Sequence, residues 1–267
     1  MGKTILECTD VFKTFNGKDN VLNGITLSVN EGDFVSILGE SGSGKSTLLG
    51  ILGGMDTPTS GSVIFDGIRL ETLKEKELAL LRRTKLGFVF QFFNLAPYLT
   101  VRENILLPVI LDGKNIKKYE KPLRDLLDYL KITEYADKMP TELSGGEQQR
   151  VAIARGLIYE PSVIFLDEPT GNLDSKNSEE IMLLLEQINR TRKTTIIQVT
   201  HSENNALFGN RIIRISDGSI VEEKSLEKEE ETEECVIEVE QQEEEETAVE
   251  HTETIVAPVD AGTTEEE

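Results

Sequence analysis

The stretch GESGSGKST, residues 39 to 47, gathers glycines, hydroxyls and a single lysine into nine positions. It fits the pattern G-x-x-x-x-G-K-[ST], in which convergent backbone N–H groups bind phosphate oxygens. Gly39, Glu40, Ser41, Gly42, Ser43 and Gly44 make the cradle. Lys45 is expected to reach the β and γ phosphates, the Ser46 hydroxyl to be a ligand of Mg2+, and Thr47 to complete the motif. An apolar strand, DFVSILG, precedes the loop, and a helical segment, KSTLLGILGG, follows it. A plain Gly/Ser turn requires neither flank, whereas a phosphate site uses the positive end of the helix.

Two carboxylates end a second apolar run, SVIFLDEP (162–169). Asp167 is suited to hold Mg2+ directly or through water, and Glu168 to polarise an attacking water as general base. Alone, such a run is a strand end with solvated charges; beside GESGSGKST it reads as the second nucleotide motif. His201 closes another apolar strand, TTIIQVTH, and its strand-end position suggests a γ-phosphate contact. Gln91 ends LGFVFQ, within reach of the magnesium or the water.

LSGGEQQ (143–149) resembles a second anion cradle. Locally, Ser144 and Glu147 form a capping box that starts a helix over 147–158. Gly145 and Gly146 exceed what a cap needs, and they expose donors at a helix N-terminus.

These motifs need a scaffold. ILECTDVFKTF and VLNGITLSVNEGD read as strands punctuated by Asn-Gly and Glu-Gly-Asp, and SGSVIFDGIRL as strand and turn. Helical periodicity marks KEKELALLRRTK (74–85), most of 100–159, and SEEIMLLLEQINRTR. Buried strands alternating with helices predict an α/β fold with a parallel sheet and ligands at its strand C-terminal ends. ILLPVIL (105–111) is read as broken by Pro108, and no window approaches a membrane span.

Charge divides the chain. Residues 222–267 carry 20 acids against two lysines, a net of −18, whereas 1–221 holds 29 acids and 26 bases, a net of −3. A nearly neutral domain over 1–221 therefore precedes an acidic, low-complexity tail with the composition of disorder. Nothing in this balance supports nucleic-acid binding. Cys8 and Cys235 match no metal or disulfide spacing, and a reducing cytoplasm is expected.

Taken in order, GESGSGKST, Gln91, LSGGEQQ, VIFLDE, the GNLD turn at 171–174 and His201 closely resemble the ATP-binding subunit of ABC (ATP-binding cassette) transporters, over about 1–221. The resemblance implies a phosphate-loop NTPase (RecA-like) core, an N-terminal antiparallel β subdomain and a helical subdomain at about 95–158. It implies ATP and Mg2+ as cofactors and gives roles to matching residues. Phe15 becomes the aromatic that stacks on adenine, where tyrosine is commoner; Gln91 the Q-loop glutamine; Asp174 the D-loop aspartate; His201 the switch histidine. It also implies a head-to-tail dimer with a second copy. Each ATP then lies between one chain's phosphate loop and the partner's Ser144, Gly145, Gly146 and Glu147.

GFVFQFFNLAPYLTVRENILLPVIL and EPTGNLDSKNSEEIM further resemble cassettes of the lipoprotein-release, macrolide-efflux and antimicrobial-peptide-resistance group, with the cell-division cassette also similar. That likeness implies an integral-membrane permease docking near Phe92–Glu103, with the chain peripheral on the inner face of the cell membrane and not inserted in it. Phe92, Phe93, Leu95 and Tyr98 either dock the permease or fill the core. A cassette that only transmits force to cell-wall enzymes and a soluble ABC ATPase without permease are the alternative readings.

Overall fold

The computed structural model describes residues 2–226; the acidic stretch beyond Leu226, with Cys235 and His251, lies outside the described residues. Strand β1 (Thr4–Thr14) pairs antiparallel with β2 (Asn20–Asn30). Then come β3 (Phe34–Leu38), helix α1 (Lys45–Leu52), β4 (Ser60–Phe65), the short β5 (Ile68–Arg69) and α2 (Glu75–Thr84). Next are β6 (Leu86–Phe90), α3 (Val101–Leu111), α4 (Glu120–Tyr129) and α5 (Gly145–Leu157). The chain continues through β7 (Val163–Asp167), α6 (Ser175–Arg192), β8 (Thr195–Thr200) and α7 (Glu203–Ala206) to β9 (Arg211–Ser216) and β10 (Ser219–Ser225).

The strands form two sheets. One is antiparallel, in the order β2-β1-β4-β5; the other runs β10-β9-β3-β8-β7-β6, parallel except for β10. Alternation along the parallel strands divides the core in two. Val163 and Phe165 of β7 join the core shared by α1 and the antiparallel sheet, while Ile164 and Leu166 join the one built by α3 to α6.

Three local features depart from the sequence reading. Asn23-Gly24 is no turn: it lies inside β2, where the register with β1 shifts and Gly24 adopts φ +66°. A bulge needs the same left-handed residue as a hairpin turn, so the two share a signature. Pro108 lies within α3 rather than breaking it. Val101, Ile105 and Val109 are buried along that helix, each worth about 1.5–3 kcal/mol, which outweighs the roughly 3 kcal/mol cost of an interior proline. Finally, β10 runs four residues past Val221, held to β9 by Arg214–Glu222 and Arg211–Glu223 ion pairs.

Candidate active site

Four neighbouring parallel strands end at one level. In the sheet register Phe90 faces Asp167, Asp167 faces Val199, and Val199 faces Ile37. Gln91, Glu168, His201 and the loop from Gly39 all follow within two residues of that row. They open on a cleft of about 1170 Å³ lined by residues 39–47, Gln91, Asp167, Glu168 and His201.

The loop is built for anions. Gly44, at φ +98°, starts α1 with no side-chain cap and no acid in the first turn, which leaves the leading N–H groups of the helix facing the cleft. A Cβ on Gly44 would lie 2.7 Å from the Val21 carbonyl, so only glycine fits. Lys45 is buried and donates to the carbonyls of Gly39 and Glu40 at 2.8 and 2.7 Å, placing its charge inside the loop. Ser43 Oγ is buried without a partner. Ser46 Oγ donates to Asp167 Oδ1 at 2.9 Å, joining helix start and strand end.

His201 Nδ1 lies 3.0 Å from Glu168 Oε1. Glu168 holds the left-handed backbone at φ +47°, a conformation costing about 1–3 kcal/mol for a non-glycine residue. Its N–H is tied to the Val199 carbonyl, which fixes the turn at the strand end.

Together these groups suit a magnesium nucleotide. An orphaned serine hydroxyl, a buried lysine and an open helix N-terminus answer phosphate; a hydroxyl–carboxylate pair offers the hard oxygens that Mg2+ takes alongside phosphate oxygens. Among the described residues no group of three or more His, Cys, Asp or Glu is placed to hold a metal, so the remaining ligands would come from phosphate and water.

The other residues singled out in the sequence lie elsewhere. Phe15 is 69 % exposed beyond the end of β1, with Lys13 Nζ 4.9 Å from its ring centroid, and does not line the cleft. Neither do Ser144, Gly145, Gly146, Glu147 or Asp174. Ser144 caps α5, whose helix begins at Gly145, two residues before the sequence suggested. The two glycines are not surplus to local structure. A Cβ on Gly146 would lie 2.7 Å from Asn177 Oδ1, and one on Gly145 3.2 Å from Leu173. Asp174 caps α6 by accepting from Asn177 N at 3.0 Å, and Asn177 Nδ2 donates to its other oxygen. Those hydrogen bonds hold the Asp174 carboxyl below its ordinary value.

The GNLD turn also reaches Gln91: Asn172 Nδ2 donates to the Gln91 carbonyl at 2.7 Å, and Gly171 packs against the Gln91 amide. From the far end of α5, Arg155 donates to the carbonyls of Phe93 and Asn94. The aromatic stretch is split. Phe92 and Tyr98 are 72 % and 89 % exposed, whereas Phe93 and Leu95 pack on the core. Several cleft walls carried no sequence signal, among them Val21 of β2, Arg214 of β9 and Ser216-Asp217 at the β9–β10 turn. Asn23 binds that turn directly, donating to the Asp217 and Gly218 carbonyls.

The family model described as ABC transporter matches residues 22–171. The chain belongs to the ABC transporter family. This cassette is 48 % identical to the lipoprotein-releasing system ATP-binding protein LolD of Aquifex aeolicus, over 82 % of the chain and 97 % of that protein. It is 46 % identical to the bacitracin export ATP-binding protein BceA of Halalkalibacterium halodurans, over 81 % of the chain and 87 % of the relative. A solved ATP-binding cassette of Methanocaldococcus jannaschii, dimeric and holding ADP and phosphate in a post-hydrolysis state, superposes with a TM-score of 0.76 at 43 % identity; the match covers 84 % of this chain and all of that one. The cassette is accordingly an ATPase, and its phosphate-loop core carries the antiparallel β sheet expected of the family.

Proposed function

We propose that this cassette is the energy-coupling subunit of an export or extraction complex, working as a two-fold, head-to-tail dimer that closes on two Mg-ATP. The observation that carries the dimer is the separation of the two cradles: the α5 N-terminus does not line the cleft of its own phosphate loop. An isologous pair would present each Ser144 to the partner's nucleotide and complete both sites. That the solved relative is dimeric supports the pairing of two copies.

Within each site, Lys45 and the loop N–H groups bind the β and γ phosphates. Ser46 and Asp167 would hold Mg2+, which would supply positive charge to offset that of the phosphates. Glu168 takes a proton from the attacking water, and His201 holds that carboxylate and meets the γ-phosphate. Gln91 reports the state of the site to the surface, since its carbonyl is tied to Asn172 and its following residues to Arg155.

A membrane partner docks beside that segment. An apolar cleft of about 380 Å³ between α2, α3 and β6 includes Met55, Phe90, Asn94, Leu107, Leu111 and Tyr159, so the docking surface extends past Phe92–Glu103. No helix among the described residues is long and apolar enough to cross a membrane, and the cassette attaches through this partner. The relatives named for lipoprotein release and bacitracin export favour export or extraction.

Glu168→Gln tests the reading. It should keep ATP binding, give an ATP-dependent dimer in sedimentation velocity and lower turnover by about 10²-fold or more. Wild-type turnover, or no dimer with ATP, would overturn it.

A further inference from the structure

The two anion cradles differ in their first turns. Helix α1 begins with its leading N–H groups open to an external anion. Helix α5 begins with a carboxylate already seated. Glu147 Oε2 accepts from Ser144 N at 2.7 Å and from Ser144 Oγ at 2.8 Å. The nearby Glu147 carboxylate pushes the Tyr135 phenol up to about 12, and Lys138 Nζ lies 4.7 Å from the Tyr135 ring centroid. Burial draws the Glu147 carboxyl upward, but the neighbouring Tyr135 phenol, the hydrogen bonds from Ser144 and the Lys138 charge outweigh it and hold it below its ordinary value.

We propose that Glu147 is an internal anion of this half-site, competing with the partner's γ-phosphate and setting how tightly two cassettes close. The inference rests on the head-to-tail dimer proposed above. A serine hydroxyl has one proton to give, and here Glu147 receives it. For Ser144 to donate to phosphate it must turn from Glu147, leaving two anions about one hydroxyl. Their repulsion acts at the rim of the chain, where salt screens it. Glu147 is thus a positioning residue with an opposing charge, which separates it from the purely attractive donors beside it.

Glutamine serves a capping box as well as glutamate, so Glu147→Gln keeps the helix start and removes only the charge. In the Glu168→Gln background, ATP-driven dimerisation is measured by sedimentation at about 0.05 M and about 0.5 M salt. Glu147→Gln should lower the dimer dissociation constant about tenfold at low salt, and the gain should shrink at high salt. Asp125→Asn removes an exposed charge from α4 and should leave the constant unchanged. An unchanged or weaker dimer with Glu147→Gln, or an equal gain from Asp125→Asn, overturns the inference alone. If Glu168→Gln itself gives no ATP-driven dimer, the head-to-tail reading fails and this inference falls with it.

Discussion

His201 Nδ1 meets Glu168 Oε1 at 3.0 Å across 33 residues of sequence, each side chain leaving the end of a neighbouring parallel strand. A proton on Nδ1 makes the imidazole the donor, which orients the carboxylate and leaves Nε2 for another partner. His201→Ala should therefore lower the ATPase kcat by about 10²-fold. ATP affinity should change little, because Lys45 and the loop amides carry binding. Steady-state kinetics with a fluorescent-nucleotide titration separates the two, and a kcat near wild type would remove His201 from the mechanism.

Gly146 and Asn177 make a tight contact that is testable by a mutant cycle. Alanine at Gly146 gains up to about 1 kcal/mol of helix propensity. It also places a methyl 2.7 Å from Asn177 Oδ1, and such overpacking costs about 1–3 kcal/mol. Asn177 is held by Asp174 and yields poorly, so the clash should win and Gly146→Ala should lower the melting temperature. Adding Asn177→Ala should restore part of the loss. Additive effects of the two changes would show that the contact does not constrain α5 against α6.

Asn104 is fully buried in α3 and accepts from Ala96 N while donating to the Ala96, Leu99 and Thr100 carbonyls. These bonds fix the loop that follows Gln91. Asn104→Ala leaves several of those groups unpaired and should cost about 2–4 kcal/mol in urea unfolding. Limited proteolysis should cut faster between residues 92 and 100. A loss below about 0.5 kcal/mol would mean that the loop is held by other contacts.

Ser144→Arg probes the α5 half-site from the opposite direction. A long side chain at this exposed cap should block ATP-driven dimerisation of the Glu168→Gln chain while leaving monomer ATP affinity intact. The measurement is nucleotide binding beside sedimentation on the same sample. Equal loss of both would show a folding defect instead.

What could be read in advance depended on how far apart the partners lie in the chain. GESGSGKST declares itself because phosphate is bound by contiguous backbone, with strand and helix adjacent. Asp167 and Glu168 were legible for the same reason, being the literal end of an apolar run. The left-handed turn at Glu168 was not, since it depends on the tie to Val199 on the next strand. Gly145 and Gly146 looked surplus because Leu173 and Asn177, about thirty residues away, supply the reason for them. Asn23-Gly24 misled through shared chemistry: bulge and turn ask the same of glycine. Val21 and Asp217 had no signal, as two separate sheets must meet before they face one cleft.

The row Phe90, Asp167, Val199, Ile37 has a consequence for how such a chain can vary. Each strand acts as a ruler, counting from the far edge of the sheet to the chemistry. Losing one residue from β7 would draw Asp167 back by about 3.3 Å and turn it to the opposite face. Four rulers must agree, so apolar residues inside them can be exchanged for others of similar size, while insertions and deletions cannot be absorbed. Length changes are tolerated where no count is kept, as at the turn through Gly113 between α3 and α4.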